Sequence, residues 1–501
     1  MKEPELDWRI CSRARLSRDP RFDGKFFIGV RGSGVYCRSI CPAPTAKEIN
    51  CRYFATAAAA ADAGYRPCLR CRPESSPGTP AWLGTSTTVS RALRLIEERE
   101  PEDGGVEQLA AQLGVGARHL RRLFLRHLGA TPNAVAQTRR VHFAKKLIDE
   151  TTLSMTELAI AAGYGSVRRF NAAIRDTYRR TPTQIRAIAR QKHALPENHY
   201  LFRLRFRPPY DWTGMLAFLA AAAIEGVESV DGTAYRRTIS LNGVDGSIEV
   251  ALDTTQPALC ARIRFADPRA LFGIVERIRA LFDLNADWAP IVKVLAADPL
   301  LSPRLKARPG RRVPGCWNGF ELAVRTVLAR DAGAEGSAHL CARLARLFGR
   351  PLPSDSGLNR LFPEPARLAA AELSRAGVNA SSAGTVRALA AAVCARRVRF
   401  EGVADARDFL ARLKEIPGID EWTAQTVAMR ALGEPDAFPS DNGALSEQSE
   451  SWRPWRAYAA MYLQSELKPR APAEPRPARS KAREPRAPFR ADGRAVQENR
   501  L

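Results

Sequence analysis

A chain of 501 residues is too long for one core, and its formal net charge of +24 argues for a polyanionic partner, nucleic acid before membrane. Hydrophobic residues make up 45% of it, enough for ordinary cores in about three or four domains. Scattered cysteines, a polar start (MKEPELDWRI) and an apolar run, Leu216 to Ile224, too short to span a bilayer exclude a secreted disulfide scaffold and a membrane partner; a cytoplasmic setting is expected.

The first informative stretch runs from Asp23 to Pro73. Cys37 and Cys41 form C-x3-C, and Cys68 and Cys71 form C-x2-C, while Cys11 and Cys51 stand outside the pattern. Two close pairs separated by a few tens of residues supply four thiolates for one tetrahedral Zn²⁺, and spacing alone leaves open a purely structural zinc knot. The flanking residues narrow this. DG-x-F, G-x-Y-C-R-x-x-C and G-Y-R-P-C-x-R-C resemble the N-terminal domain of the Ada family of methylation-repair regulators. The resemblance implies that Cys37 is both a zinc ligand and an irreversible acceptor of a methyl group from a methylphosphotriester in DNA. Four thiolates on a divalent cation form a doubly negative site that repels phosphate but admits a neutral triester. Methylating Cys37 removes one negative charge and turns repair into a DNA-binding signal. Arg66, Arg70 and Arg72, beside the second pair, are candidate phosphate contacts.

Residues 1–74 thus form a zinc domain, a small sheet with flanking helices. The Pro/Ser/Gly-rich stretch from Glu74 to Leu83 reads as a linker, bounded as 75–86. Over 87–190 two similar units follow, Val106 to Pro132 and Met155 to Pro182. Each has a short apolar helix, a turn glycine (Gly114, Gly163) and a longer basic helix, joined by a linking helix over Val135 to Ile148. This double helix-turn-helix resembles the AraC-type DNA-binding domain, most specifically in A-x-x-x-G-Y-x-S-x-x-x-F of the second unit. The resemblance implies that both second helices enter successive major grooves of promoter DNA, with RNA polymerase as a further partner. Candidate DNA contacts are Arg118, His119, Arg121 and Arg122, then Ser166, Arg168, Arg169 and Asn171. Arginine can read guanine and asparagine adenine, while other basic groups hold phosphate.

After a linker at Gln191 to Pro196, the segment 197–305 alternates apolar and polar residues, with strand-like runs TAYRRTISL, GSIEVAL and ARIRF around an Ala-rich helix. PPYDW (Pro208 to Trp212) and MLAFLAAAAI resemble the N-terminal domain of AlkA-type 3-methyladenine DNA glycosylases. That family places an aromatic from this region beside the base pocket; Phe218 is the positional candidate, although Tyr210, Trp212 and Phe218 also suit a core.

The segment 306–467 carries EIPGID, a helix-hairpin-helix turn whose backbone N–H groups, including that at Gly418, point at a DNA phosphate, often through a monovalent cation. A Gly/Pro loop then delivers Asp441. The pattern resembles the HhH-GPD superfamily, which implies that Asp441 is the glycosylase carboxylate. A carboxylate beside C1′ stabilises the oxocarbenium that forms as the base leaves. Trp422 stands where lyase-active relatives carry lysine. It cannot form a Schiff base, so a monofunctional enzyme is expected, with Trp422 in the base pocket.

Four departures suggest a weakened DNA grip. Asp420 replaces the second hairpin glycine. Ala329, Arg330 and Asp331 replace Gly-Gln and an apolar wedge. One helix after Asp441 looks deleted, and Gln464 replaces a late pocket tryptophan. Residues 468–501, rich in Pro, Ala and Arg, should be a disordered basic tail. The P-C-H-R motif of O6-alkylguanine transferases is absent from the sequence.

The expected fold class is multidomain α+β: a zinc domain, an all-α double helix-turn-helix domain, an α/β AlkA N-terminal-like domain, an all-α HhH-GPD domain and the tail. The expected function joins a methylphosphotriester acceptor, a sequence-specific transcription activator and a DNA-3-methyladenine glycosylase acting on double-stranded DNA. The alternatives are a methyl-sensing regulator whose glycosylase module is inactive or only a scaffold, and a plain AraC-type regulator with structural zinc.

Overall fold

The computed structural model describes residues 6–77, 87–98, 105–188, 196–353, 357–403, 405–441 and 443–464. The tail at 468–501 and most of the two expected linkers lie outside the described residues.

The N-terminal domain is a four-stranded sheet. It comprises β1 (Phe27–Val30), β2 (Val35–Cys37), β3 (Cys51–Phe54) and β4 (Arg66–Pro67), ordered β3-β1-β2-β4. A turn through Gly34, at φ +61°, folds β2 back on β1. The pairing of β2 with β4 is parallel, Tyr36 opposite Pro67, so the next residues on the two strands, Cys37 and Cys68, come abreast. Helices Trp8–Leu16 and Ala57–Asp62 flank the sheet, each started by a side-chain cap, Asp7 and Thr56.

The helix-turn-helix units fall where the repeat placed them. The first pairs Val106–Gln112 with Ala117–Leu128, and the second pairs Met155–Ala161 with Val167–Tyr178. Gly114 and Gly163 turn with φ of +65° and +71°, a conformation that costs glycine nothing. Between the units runs the linking helix Pro132–Glu150, capped by Thr131 with proline in its first turn.

The third domain is a five-stranded antiparallel sheet of β5 (His199–Arg205), β6 (Glu228–Val230), β7 (Ala234–Leu241), β8 (Val244–Leu252) and β9 (Ala258–Phe265). Their order is β5-β9-β8-β7-β6. In β5 burial alternates residue by residue, as a half-covered sheet requires.

The last domain is helical. Its long element Gly319–Phe348 is broken at Gly333 (φ +69°, ψ −178°), and its hairpin joins Ala406–Lys414 to Glu421–Ala431. The helix expected to be deleted after Asp441 is shortened rather than lost: Gly443–Gln448 remains, followed by a 3-10 turn at Ser449–Trp452.

These domains are not independent beads. The first helix-turn-helix unit shares one hydrophobic core with the zinc domain, in which Phe27, Tyr36, Phe54 and Ala60 meet Leu109, Leu120 and Phe124. The second unit and the linking helix share another with the antiparallel sheet, in which Phe143, Phe170 and Ile174 join the cluster of Phe202, Leu259 and Ile263. The sheet joins the helical domain through buried charge: Arg237 pairs with Glu321 at 2.8 Å, and Arg325 with Glu228 at 3.0 Å. Among the described residues no helix is long and apolar enough to cross a membrane.

Candidate functional sites: a thiolate cluster and a tethered carboxylate

The Sγ atoms of Cys37, Cys41, Cys68 and Cys71 all lie within 4.8 Å of one another. A tetrahedron with zinc–sulfur bonds of about 2.3 Å has edges of roughly 3.8 Å, so four soft donors at this spacing fit Zn²⁺. The parallel β2–β4 register supplies one thiol from each pair, and two short turns supply the others. Behind the cluster, Arg38 is buried in a salt bridge with Asp23 of the DG-x-F motif. Its backbone N–H donates to Cys71 Sγ at 3.4 Å, and its guanidinium donates to the Cys71 carbonyl at 2.9 Å. These contacts hold Cys71 in place, while the charge of Arg38 is balanced by Asp23. Cys37 is only 8% exposed, and Cys41 is the more open of the first pair.

The three arginines beside the second pair separate. Arg70 is exposed and Arg66 half-buried. Arg72 faces inward: its guanidinium meets Asp149 at 2.5 Å, Glu74 at 3.4 Å and Glu150 at 3.6 Å. Its charge is shared with Asp149 and Glu150 of the linking helix and with Glu74, while its side chain stays 38% exposed. Glu74, the last residue of the expected zinc domain, lies in a 3-10 turn (Pro73–Ser75), with its side chain 1% exposed and 3.2 Å from Lys145 Nζ. Burial pushes its pKa up, but Lys145 and Arg72 outweigh that and hold the carboxyl below its usual range. Lys145 also pairs with Asp149 at 2.5 Å, and the Tyr36 hydroxyl lies 2.8 Å from His142 Nε2. The neighbours of two zinc-site cysteines, Tyr36 and Arg72, thus both reach the linking helix.

On the second helices of the two helix-turn-helix units, Arg118, His119, Arg121, Arg122, Arg168 and Arg169 are exposed. Arg121 pairs with Glu107 at 2.9 Å, and Arg122 sits 3.0 Å from His119 Nδ1. Ser166 is the N-cap of its helix, accepting from the Arg169 N–H, and Asn171 is half-buried.

In the last domain the loop before Asp441 is pinned on several sides. Ala437 and Phe438 are core residues, and the Phe438 N–H donates to Gln425 of the hairpin helix. Arg456 holds Asp436 at 2.8 Å, and Arg453 pairs with it as well. Asp441 therefore leaves a rigid loop toward the hairpin helix. Its Oδ2 meets Arg330 Nη1 at 2.5 Å, and Arg330 Nε meets Asp420 at 2.8 Å. The same guanidinium lies 5.7 Å from the centroid of Trp422. One side chain so gathers Asp441, Asp420 and Trp422.

Gly418 has φ +89°, and a Cβ there would come within 1.9 Å of Thr385 Oγ1. Asp420 takes no left-handed conformation: at φ −89°, ψ 176° it is the N-cap of the second hairpin helix, accepting from the Thr423 N–H at 2.8 Å. Phe218 stacks under the guanidinium of Arg430 at 4.9 Å, and Gln464 accepts from Arg311 at 3.1 Å. The residues that sequence reasoning missed are Arg330, read there only as a departure, and the buried set His142, Lys145 and Asp149, which no motif marks.

Family profiles match the chain in three places: the metal binding domain of Ada at 10–74, a helix-turn-helix domain at 109–188 and the AlkA N-terminal domain at 201–318. A probable bifunctional transcriptional activator/DNA repair enzyme AlkA of Mycobacterium tuberculosis is 37% identical over 481 residues, covering 92% of this chain and 97% of that protein. DNA-3-methyladenine glycosylase 2 of Escherichia coli is 30% identical over 279 residues, 52% of this chain and 96% of that one. The bifunctional transcriptional activator/DNA repair enzyme Ada of Escherichia coli is 33% identical over 171 residues, 34% of this chain and 47% of that protein.

Proposed function

The chain belongs to the family of bifunctional transcriptional activator/DNA repair proteins that join an Ada-type zinc domain and a helix-turn-helix domain to an AlkA-type glycosylase fold, and from that premise we propose that it senses methylphosphotriesters, activates transcription and excises alkylated bases. Support for the sensor comes from the four convergent thiols. Zinc held by Cys37, Cys41, Cys68 and Cys71 would keep them ionised at neutral pH. Cys37 Sγ then attacks the methyl carbon: the S–C bond forms, the C–O bond breaks, and the electron pair leaves on the phosphodiester. Cys37 is assigned by its motif, since Cys41 is the more exposed thiol. Reaction with methylphosphotriester DNA should place one methyl on Cys37, read by peptide mass mapping; a methyl on another cysteine sinks the assignment.

Support for the glycosylase comes from Asp441, delivered by a pinned loop to the hairpin helix and close to Trp422 through Arg330. The N-glycosidic bond of an N-alkylated purine breaks, the base takes the electron pair, and water adds at C1′ with loss of a proton. The Asp441 carboxylate stabilises the cationic sugar between these events. Trp422 offers no amine, so the abasic strand stays intact. Asp441→Asn should abolish base release from methylated duplex while leaving DNA binding in place, and full activity in that variant would overturn the assignment. The regulator-only reading draws on the Arg330–Asp441 pair, because a guanidinium on the carboxylate offsets its charge. No base release at enzyme excess would establish that reading. Promoter DNA and RNA polymerase are the partners an activator of this kind needs, and a cytoplasmic site of action fits both.

A further inference from the structure

Three residues that the sequence presents as losses are all partnered. Asp331 accepts from Asn379 Nδ2 at 2.9 Å and Ser382 Oγ at 2.7 Å, which ties the long helix, just before its break at Gly333, to the start of helix Ala380–Cys394. Asp420 caps the second hairpin helix and so puts a carboxylate where the hairpin would meet a phosphate. Arg330 lies between Asp420 and Asp441, bound to one through Nε and to the other through Nη1.

The guanidinium is planar, and its donors point along fixed directions from different edges. Nε and Nη1 can therefore hold two separate carboxylates at once, and the Trp422 ring beneath limits the tilt of the plane. The contact to Asp441 uses Oδ2; on the glycosylase reading Oδ1 is the oxygen that would face a sugar. Two carboxylates without the arginine would carry two negative charges toward the DNA backbone; with it they carry one.

We propose that Arg330 is a positioning residue for base release, holding Asp441 by one oxygen while cancelling the charge that Asp420 brings to the hairpin. This rests on the reading of Asp441 as the glycosylase carboxylate. Arg330 and Asp420 are then a compensating pair: the aspartate caps the helix in place of a glycine, and the arginine restores the approach of a phosphate.

The test uses the full chain in five forms: wild type, Arg330→Gln, Arg330→Lys, Asp420→Asn and the Arg330→Gln/Asp420→Asn double variant. Asparagine still caps a helix, so Asp420→Asn removes charge without unmaking the turn. Affinity is read on a duplex containing a non-cleavable abasic analogue, and base release on an N-methylpurine duplex under single-turnover conditions. Arg330→Gln should weaken binding about tenfold at low salt and slow release about a hundredfold. Adding Asp420→Asn should restore affinity to within about twofold but not the rate, because charge is repaired and orientation is not. Arg330→Lys should recover affinity and only part of the rate, since a point charge cannot hold both carboxylates in fixed directions. Release unchanged or faster in Arg330→Gln overturns the positioning role, and a double variant no tighter than Arg330→Gln overturns the charge compensation. A wild type that releases no base refutes the glycosylase reading and the positioning role with it. Release that survives Arg330→Gln undiminished refutes the positioning role alone.

Discussion

Replacing His142 by glutamine should flatten the acid sensitivity of the junction between the zinc domain and the linking helix. His142 is buried, with Nε2 2.8 Å from the Tyr36 hydroxyl. Burial is the main influence on it; Glu74 favours its protonation and Lys145 opposes it, and the pKa is lowered to about 4. The charged groups around it are Glu74 on the 3-10 turn and Lys145 on its own helix, which also pairs with Asp149. In the unfolded chain histidine titrates near 6.5, so between about pH 6.5 and 4 the unfolded state binds the extra proton. A folded pKa below the unfolded one gives stability that is complete above about pH 6.5 and is lost as pH falls toward 4. From these two values the loss attributable to His142 is about 2 kcal/mol at pH 5 and about 3 kcal/mol at pH 4. Acid also protonates carboxylates and the zinc thiolates, so the informative quantity is the wild type minus His142→Gln. Urea midpoints at pH 7.5 and 5.0 should give this difference, His142→Gln losing about 2 kcal/mol less. With six histidines in the chain, a histidine-selective NMR titration can follow the imidazole directly. Equal acid losses in the two proteins, or a His142 ring titrating near 6.5, would refute the reasoning.

Two further outcomes follow from single side chains. Gly418→Ala meets both a left-handed backbone (φ +89°) and Thr385 at 1.9 Å; it should weaken DNA binding and cost about 2 kcal/mol or more by urea denaturation, whereas a neutral substitution would show that the hairpin turn is not held as described. Arg237, 3% exposed, pairs with Glu321 at 2.8 Å and Glu228 at 3.5 Å; Arg237→Met leaves the two carboxylates with Arg325 as their shared cation and should cost about 3–5 kcal/mol, while Arg237→Met with Glu321→Met should cost markedly less.

What was legible in the chain was what repeats or what chemistry spaces closely. Two cysteine pairs announced one cluster because thiolates of one ion must come from tight turns. The two helix-turn-helix units announced themselves because Gly114 and Gly163 hold the same place in the same pattern. The hairpin before Asp441 was legible because its two helices and their turn stand together in sequence. The rest depends on partners far apart. Glu74 sits in a Pro/Ser-rich stretch, and composition cannot tell a solvated carboxylate from one buried under Lys145, 71 positions away. Arg72 looked like a phosphate ligand because its neighbours are basic, yet Asp149 and Glu150 are closer in space than any of them suggests. Arg330 and Asp420 looked like two independent defects, since a residue read singly shows only what it replaced. Phe218 was placed by position, but Arg430, from the hairpin helix, lies over its ring.

The junctions bear on how a methyl on Cys37 can be felt. Tyr36 and Arg72, each next to a zinc-site cysteine, contact the linking helix. That helix reaches β5 in turn: Lys146 Nζ donates to the Arg203 carbonyl at 2.7 Å, and the Arg203 N–H donates to Glu150 at 3.3 Å. The charges in this junction balance, Arg72, Lys145 and Lys146 against Glu74, Asp149 and Glu150, and most are buried. Breaking one such pair costs about 3–5 kcal/mol, a large cost for the loss of one net charge at the cluster to offset. On the proposed sensor role, the zinc domain should keep its seat on the linking helix when Cys37 accepts a methyl, and the signal should be a changed field toward DNA rather than a moved domain. A field effect of this kind falls with ionic strength, whereas a domain displacement would persist in high salt.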